Sequence, residues 1–282
     1  MLKNGHIKAD ALSPRLSAPS PRRVRQAFLI TGALAMAAAL TACGGSSSPS
    51  RELAQDKQIL ATCNVSAPPA TDIQIDGTGS SAAQNITNER MTAIQAIVRE
   101  TAICSGRLRV SVFSSSSAAT TTLLDEPLSP YGATDNARLK RVGAMVDDTM
   151  TQIRNAYGPA VAALPGGGSD ITAQYRLASE WIRQVGGNFR LHLFMLTDGF
   201  QNIGIHLDTG PLSKDELAEL ADDTAMPKLP NASVVVAGLG RVVGAPPRSD
   251  VVEGLVDYYN ALCHKSGAAK CVSVTDYAYE GR

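Results

Sequence analysis

Two runs of almost unbroken apolar character, Phe189–Leu196 and Ser233–Gly238, constrain this chain most. A strand with water on one face alternates polar and apolar residues, whereas a strand covered on both faces need not. These two runs are therefore expected as central strands of a sheet with helices on both sides. The rest of the pattern agrees. Ile73–Asp76 is a short buried strand between Pro68-Pro69 and a glycine turn, and Ala82–Ser105 has helical periodicity up to Gly106. Leu108–Phe113 and Thr120–Leu124 form an expected hairpin. Asn136–Tyr157 carries an apolar helical stripe that Gly158-Pro159 is expected to break. Further helices are expected over Ile171–Val185, Lys214–Thr224 and Asp250–Cys263, and a last strand over Cys271–Thr275. This succession predicts an α/β fold: a Rossmann-like open sheet of about six strands, mostly parallel, with one antiparallel edge strand and helices on both faces.

The chain has 282 residues, 44% hydrophobic and 18% charged, and its formal net charge is zero. That zero hides an asymmetry. Six Lys/Arg residues and one acid precede Cys43, which leaves twenty basic against twenty-five acidic residues in the remainder. A mildly acidic body argues against nucleic acid as a partner. Arg22, Arg23 and Arg25 precede an apolar run from Ala27 to Leu40, the pattern of a secretory signal peptide. The run ends in Leu40-Thr41-Ala42-Cys43, which resembles a bacterial lipobox. That resemblance implies a lipidated Cys43 as the mature N-terminus, with membrane attachment on the extracytoplasmic side. Residues 1–43 are thus expected as signal peptide, 44–69 as a flexible tether, and 70–282 as the folded domain. The Arg22-Arg23 pair lacks the expected continuation of a twin-arginine export signal.

Candidate chemistry lies at strand ends. Asp76-Gly77-Thr78-Gly79-Ser80 sets one carboxylate and two hydroxyls on a glycine-loosened turn. Oxygen ligands of this kind suit hard cations. Gly167-Gly168-Ser169-Asp170 runs into a helix, and Thr197-Asp198-Gly199 follows a central strand. In open α/β sheets ligands bind beyond the carboxyl ends of the strands, so the three stretches are expected on one rim.

Together these stretches resemble a von Willebrand factor type A domain with a metal-ion-dependent adhesion site. The family pattern is D-x-[ST]-x-S, a Gly-Gly-Thr loop and a Thr-Asp-Gly turn, in that order. The resemblance covers roughly residues 70–277. It implies a divalent cation, magnesium first with manganese or calcium as alternatives, held by Asp76, Thr78, Ser80, Ser169 and Asp198. Ser169 stands where the family has threonine, and Thr172 is a fallback. Asp170 is expected as a helix N-cap. The resemblance also implies a non-enzymatic role, in which an Asp or Glu carboxylate of a partner protein completes the coordination. Gly199, Gln201 and His206 are then candidate partner contacts.

Of the remaining cysteines, Cys63, Cys104, Cys263 and Cys271 allow three pairings. The expected pairs are Cys63–Cys104 and Cys263–Cys271, at helix ends and strand starts on the rim away from the metal; four free thiols are the alternative. Other chemistries fare worse. A haloacid-dehalogenase-type phosphatase needs an aspartate where Gln74 stands. A P-loop would need a lysine after Gly166–Ser169. A serine hydrolase lacks its G-x-S-x-G elbow, and His264 falls near the wrong rim. A domain whose metal site is vestigial remains an alternative.

Overall fold

The computed structural model describes residues 49–277, which lie in one unit spanning Ser47–Arg282. The expected signal peptide and Cys43 fall outside the described residues. The strands are β1 (Pro69–Asp76), β2 (Arg107–Phe113), β3 (Thr120–Pro127), β4 (Arg190–Leu196), β5 (Ser233–Ala237) and β6 (Lys270–Val274). The helices are α1 (Pro49–Thr62), α2 (Gln84–Ile103), α3 (Asp135–Ala163), α4 (Thr172–Val185), α5 (Lys214–Asp223) and α6 (Ser249–Ser266).

The six strands order as β3-β2-β1-β4-β5-β6. Every pairing is parallel except β2 with β3, which is the antiparallel edge that the hairpin pattern predicts. Alternation divides the core in two. Phe194, Leu196, Val235 and Ala237 face α1, α2 and α3, while Leu193, Met195, Val234 and Val236 face α4, α5 and α6. This two-sided cover is why β4 is apolar from Leu193 to Leu196 and β5 from Val234 to Ala237.

On the α4 side of β1 the alternating positions are polar. Asp72 is fully buried and held bidentately by Arg109, with Nε–Oδ1 at 2.9 Å and Nη2–Oδ2 at 2.7 Å. Gln74 donates Nε2 to both Asp72 oxygens, at 3.0 and 2.9 Å. The Arg109 guanidinium lies 4.7 Å from the Trp181 ring, whose Nε1 donates to Asp125 at 2.9 Å. Gln74 thus serves the Asp72–Arg109 pair inside the sheet.

The structure corrects the expected elements in two places. The stretch 44–69, expected as a tether in which Arg51–Leu60 forms at most one or two helical turns, holds the fourteen-residue helix α1. It is held down by Leu53, Ile59 and Leu60 against the core and by Asp56, which Arg99 grips at 2.9 and 3.0 Å. The second correction is α3, which runs through Gly158-Pro159 to Ala163. Proline removes one helical donor, but Ala160 is buried and Val161 and Leu164 pack onto the core, so tertiary contact carries the helix onward. The two expected disulfides, Cys63–Cys104 and Cys263–Cys271, are present. Among the described residues no helix is long and apolar enough to cross a membrane.

Candidate metal centre

β1 and β4 are parallel neighbours, with Ile75 opposite Leu196. Their carboxyl ends therefore deliver Asp76 and Thr197 side by side, with Asp198 next in the chain. Asp76, Thr197 and Asp198 are fully buried. Asp76 Oδ1 accepts from the Thr78 amide at 3.0 Å and the Thr78 hydroxyl at 2.7 Å; Oδ2 accepts from Thr197 Oγ1 at 2.7 Å. Ser169 arrives from the loop before α4, and its Oγ lies 3.3 and 3.2 Å from the two Asp76 oxygens. Thr78 Oγ1 lies 3.0 Å from Ser169 Oγ and 3.3 Å from Ser80 Oγ. The rim so brings together four of the five expected ligands by direct contact, Asp76, Thr78, Ser80 and Ser169.

Asp198 joins them electrostatically. Its Oδ1 accepts from the Phe200 amide at 3.0 Å, while Oδ2 is buried with no hydrogen-bond partner among the described residues. Its pKa is raised to about 6, first by burial and then by the Asp76 carboxylate. The Ser80 hydroxyl, the Phe200 amide and Arg90 pull the other way. Ser80 comes near enough to exert this pull but stays short of hydrogen-bond geometry with Oδ2.

This donor set fits a small hard cation. Oxygens bound octahedrally at about 2.1 Å stand about 3 Å apart, and the Asp76, Thr78, Ser80 and Ser169 oxygens are spaced 2.7–3.3 Å. An orphaned, buried carboxylate oxygen on Asp198 is what such an ion would neutralise. Among the described residues no three His, Cys, Asp or Glu side chains group as a metal cage, so an ion here would lean on hydroxyls.

Local backbone makes the approach feasible. Gly168 has φ +155°, and a Cβ there would sit 2.4 Å from Asn202 Oδ1, the atom that accepts from the Ser169 amide at 2.9 Å. Gly199 has φ +87°, and a Cβ would meet Leu239 at 2.5 Å. Beside the oxygens opens a cleft of about 460 Å³, lined in part by Val161, Leu164, Phe200 and Asp208.

Other expectations change. Thr172 is not at the centre, because its hydroxyl is engaged by Gln201 Nε2 at 3.0 Å. Asp170 caps the start of α4 as expected, from the residue before the N-cap Ile171, accepting from the Ala173 amide at 3.2 Å. Gln201 does not stand ready for a partner: it is buried, and its amide is spent on Thr172 and the Ile203 carbonyl. Gly199 is buried too, its carbonyl accepting from Tyr259 at 2.9 Å. Of the three candidate contacts only His206 is exposed, 3.6 Å from Asp208.

Three contributors escaped the sequence reading. Thr197, the first residue of the Thr-Asp-Gly turn, holds Asp76. Asn202 fixes the Ser169 amide. Arg90, buried in α2, donates Nη1 to the Asp76 carbonyl at 2.8 Å and Nε to the Tyr277 hydroxyl at 3.1 Å. Arg90 stands four residues after Ile86 and four before Ile94, on the apolar stripe of α2, and that position is the signal that could have marked it as buried.

Comparison with family models and with curated proteins returned no match. Among solved structures, the chain is similar to the conserved hypothetical protein BatB of Bacteroides thetaiotaomicron, at 14% identity and TM-score 0.41, over 74% of this chain and 91% of that one. It is also similar to the pilus adhesin SpaC of Lactobacillus rhamnosus GG, at 11% identity and TM-score 0.41, over 74% of this chain and 28% of that one. A third likeness is to the manganese-loaded TRAP protein of Plasmodium vivax, at 15% identity and TM-score 0.36, over 68% of this chain and 63% of that one.

Proposed function

We propose that this protein binds a partner protein through a divalent cation held by Asp76, Thr78, Ser80, Ser169 and Asp198. An Asp or Glu carboxylate of the partner takes the remaining position. The observation that carries this reading is Asp198 Oδ2, buried without a hydrogen-bond partner among the described residues and next to a second buried carboxylate. Two like charges held out of water need a counter-charge. Because three of the five ligands are neutral hydroxyls, a bound ion would keep enough positive charge to attract an outside acid. Magnesium suits the oxygen spacing best, with manganese and calcium as alternatives. The protein so acts by binding, not by catalysis. We further place it outside the cytoplasm, lipid-anchored through Cys43; the two disulfides support export.

Thermal unfolding of the full chain in neutral detergent tests the metal reading. After EDTA, magnesium, manganese or calcium at a hundredfold excess over Kd should stabilise the protein by about 2.7 kcal/mol. Asp198→Asn should abolish that response. No shift with any ion would overturn it and favour the second reading, a structural domain without an ion. That reading also has an observation behind it: the Thr78, Ser169 and Thr197 hydroxyls already satisfy Asp76.

A further inference from the structure

A larger cleft, of about 740 Å³, opens at the amino-terminal ends of β4 and β5, at the other end of the strands from Asp76 and Asp198. Its lining includes Arg176, Arg183, Arg190 and Lys228 and no Asp or Glu. Arg176 is paired with Glu180 at 3.0 Å. Arg183 donates to the Ser179 carbonyl and Lys228 to the Lys265 carbonyl, each at 3.1 Å. Those acceptors are neutral, so the charge is not cancelled. Among the described residues Arg183, Arg190 and Lys228 have no ion-pair partner within 4.0 Å. The helix dipole accounts for Arg183, in the last turn of α4. It does not account for Arg190, which opens a strand, or for Lys228, in the loop before β5.

The neighbouring His192 has its pKa pushed down to about 4, by burial first and then by Arg190 of the cleft and by Lys270. Between the cations the lining mixes apolar Ile182, Phe189 and Leu229 with polar Asn64, Ser179, Asn188 and Asn231. A peptide, which brings acids, apolar side chains and backbone amides together, suits that mixture. A bare polyphosphate chain brings only the acids.

We propose that this basal cleft binds an extended acidic peptide segment of a partner protein, with acids at alternate positions so that they share one face. The proposal is independent of the metal reading.

The test is fluorescence anisotropy of labelled Glu-Leu-Glu-Leu-Glu-Leu-Glu against the full chain in neutral detergent. Affinity should fall at least about tenfold between 20 and 200 mM salt, and the Gln-for-Glu peptide should bind at least about tenfold more weakly. The double reversal Arg183→Glu, Arg190→Glu should weaken binding by at least about tenfold with an unchanged melting temperature; both residues are exposed, so the fold should tolerate it. EDTA should change nothing. Equal binding of the Gln peptide would overturn the proposal. So would binding that survives the double reversal, which would place the peptide on the basic leader, or tighter capture of polyphosphate or phosphatidylglycerol vesicles than of the peptide.

Discussion

The two ends of the sheet differ in chemistry and in how they are held. At the carboxyl ends, buried Asp76 and Asp198 meet hydroxyls, and the adjoining cleft is lined by Asp208 and no cation. At the amino ends, four cations line a cleft that contains no acid, and two disulfides staple the surrounding chain. Parallel α/β topology sets part of this contrast. Helices return antiparallel to the strands, so their N-termini gather at the carboxyl rim and their C-termini at the other, favouring anions at one end and cations at the other. Buried Asp198 Oδ2 and the cations outside helices exceed what that rule requires. Those are the features assigned to ligands above.

The comparison can be broken from the base upward. Removing the first staple with Cys63→Ala and Cys104→Ala opens a loop whose ends are 41 residues apart. It should cost about 4 kcal/mol by denaturant unfolding, while any metal response at the other rim persists. A loss of metal response would show the two ends to be coupled.

The His192 field is the next largest effect. Its folded pKa lies below its unfolded value of 6.5. The unfolded state therefore takes up the proton first as pH falls. The stability that His192 contributes is complete above pH 6.5 and is lost on the way down to about 4, a change of about 3 kcal/mol at most. Asp198, with its raised pKa, has the opposite sign: its contribution is present below 3.8 and is lost as pH rises through about 6. Comparing unfolding of the wild type with His192→Gln across pH 4–7 isolates the histidine. Parallel pH profiles would show that His192 is neither buried nor held beside Arg190 and Lys270.

The smallest effect belongs to Ser169. Its hydroxyl bonds both Asp76 and Thr78, so Ser169→Ala should cost about 1 kcal/mol without added metal and should weaken the magnesium-induced melting shift. Ser169→Thr should retain both. Equal metal responses in Ala and Ser would remove Ser169 from the ligand set.

How far the sequence disclosed this molecule depends on the range of the interactions. β4 and β5 were legible because burial on both faces leaves a local apolar signature. The motif around Asp76 was legible because Thr78 and Ser80 are its near neighbours in the chain. By contrast, Thr197 reaches Asp76 across 121 positions and Arg90 reaches Tyr277 across 187. Nothing in their own surroundings announces either contact. The continuation of α3 past Pro159 was hidden for the same reason, since local propensity argues against it and the packing of Ala160 argues for it. The basal cleft was hidden too, because Arg176, Arg183, Arg190 and Lys228 converge only once α4, β4 and the loop before β5 are assembled.

Trp181 has a practical consequence. It is the only tryptophan of the chain, and it sits between the Arg109 guanidinium and the Asp125 carboxylate, beside the paired β2 and β3. Its emission should report whether the sheet edge is intact and stay almost silent when an ion reaches the far rim. A spectroscopist following intrinsic fluorescence would watch the wrong end of the molecule, and a binding assay needs a dye attached near His206 instead.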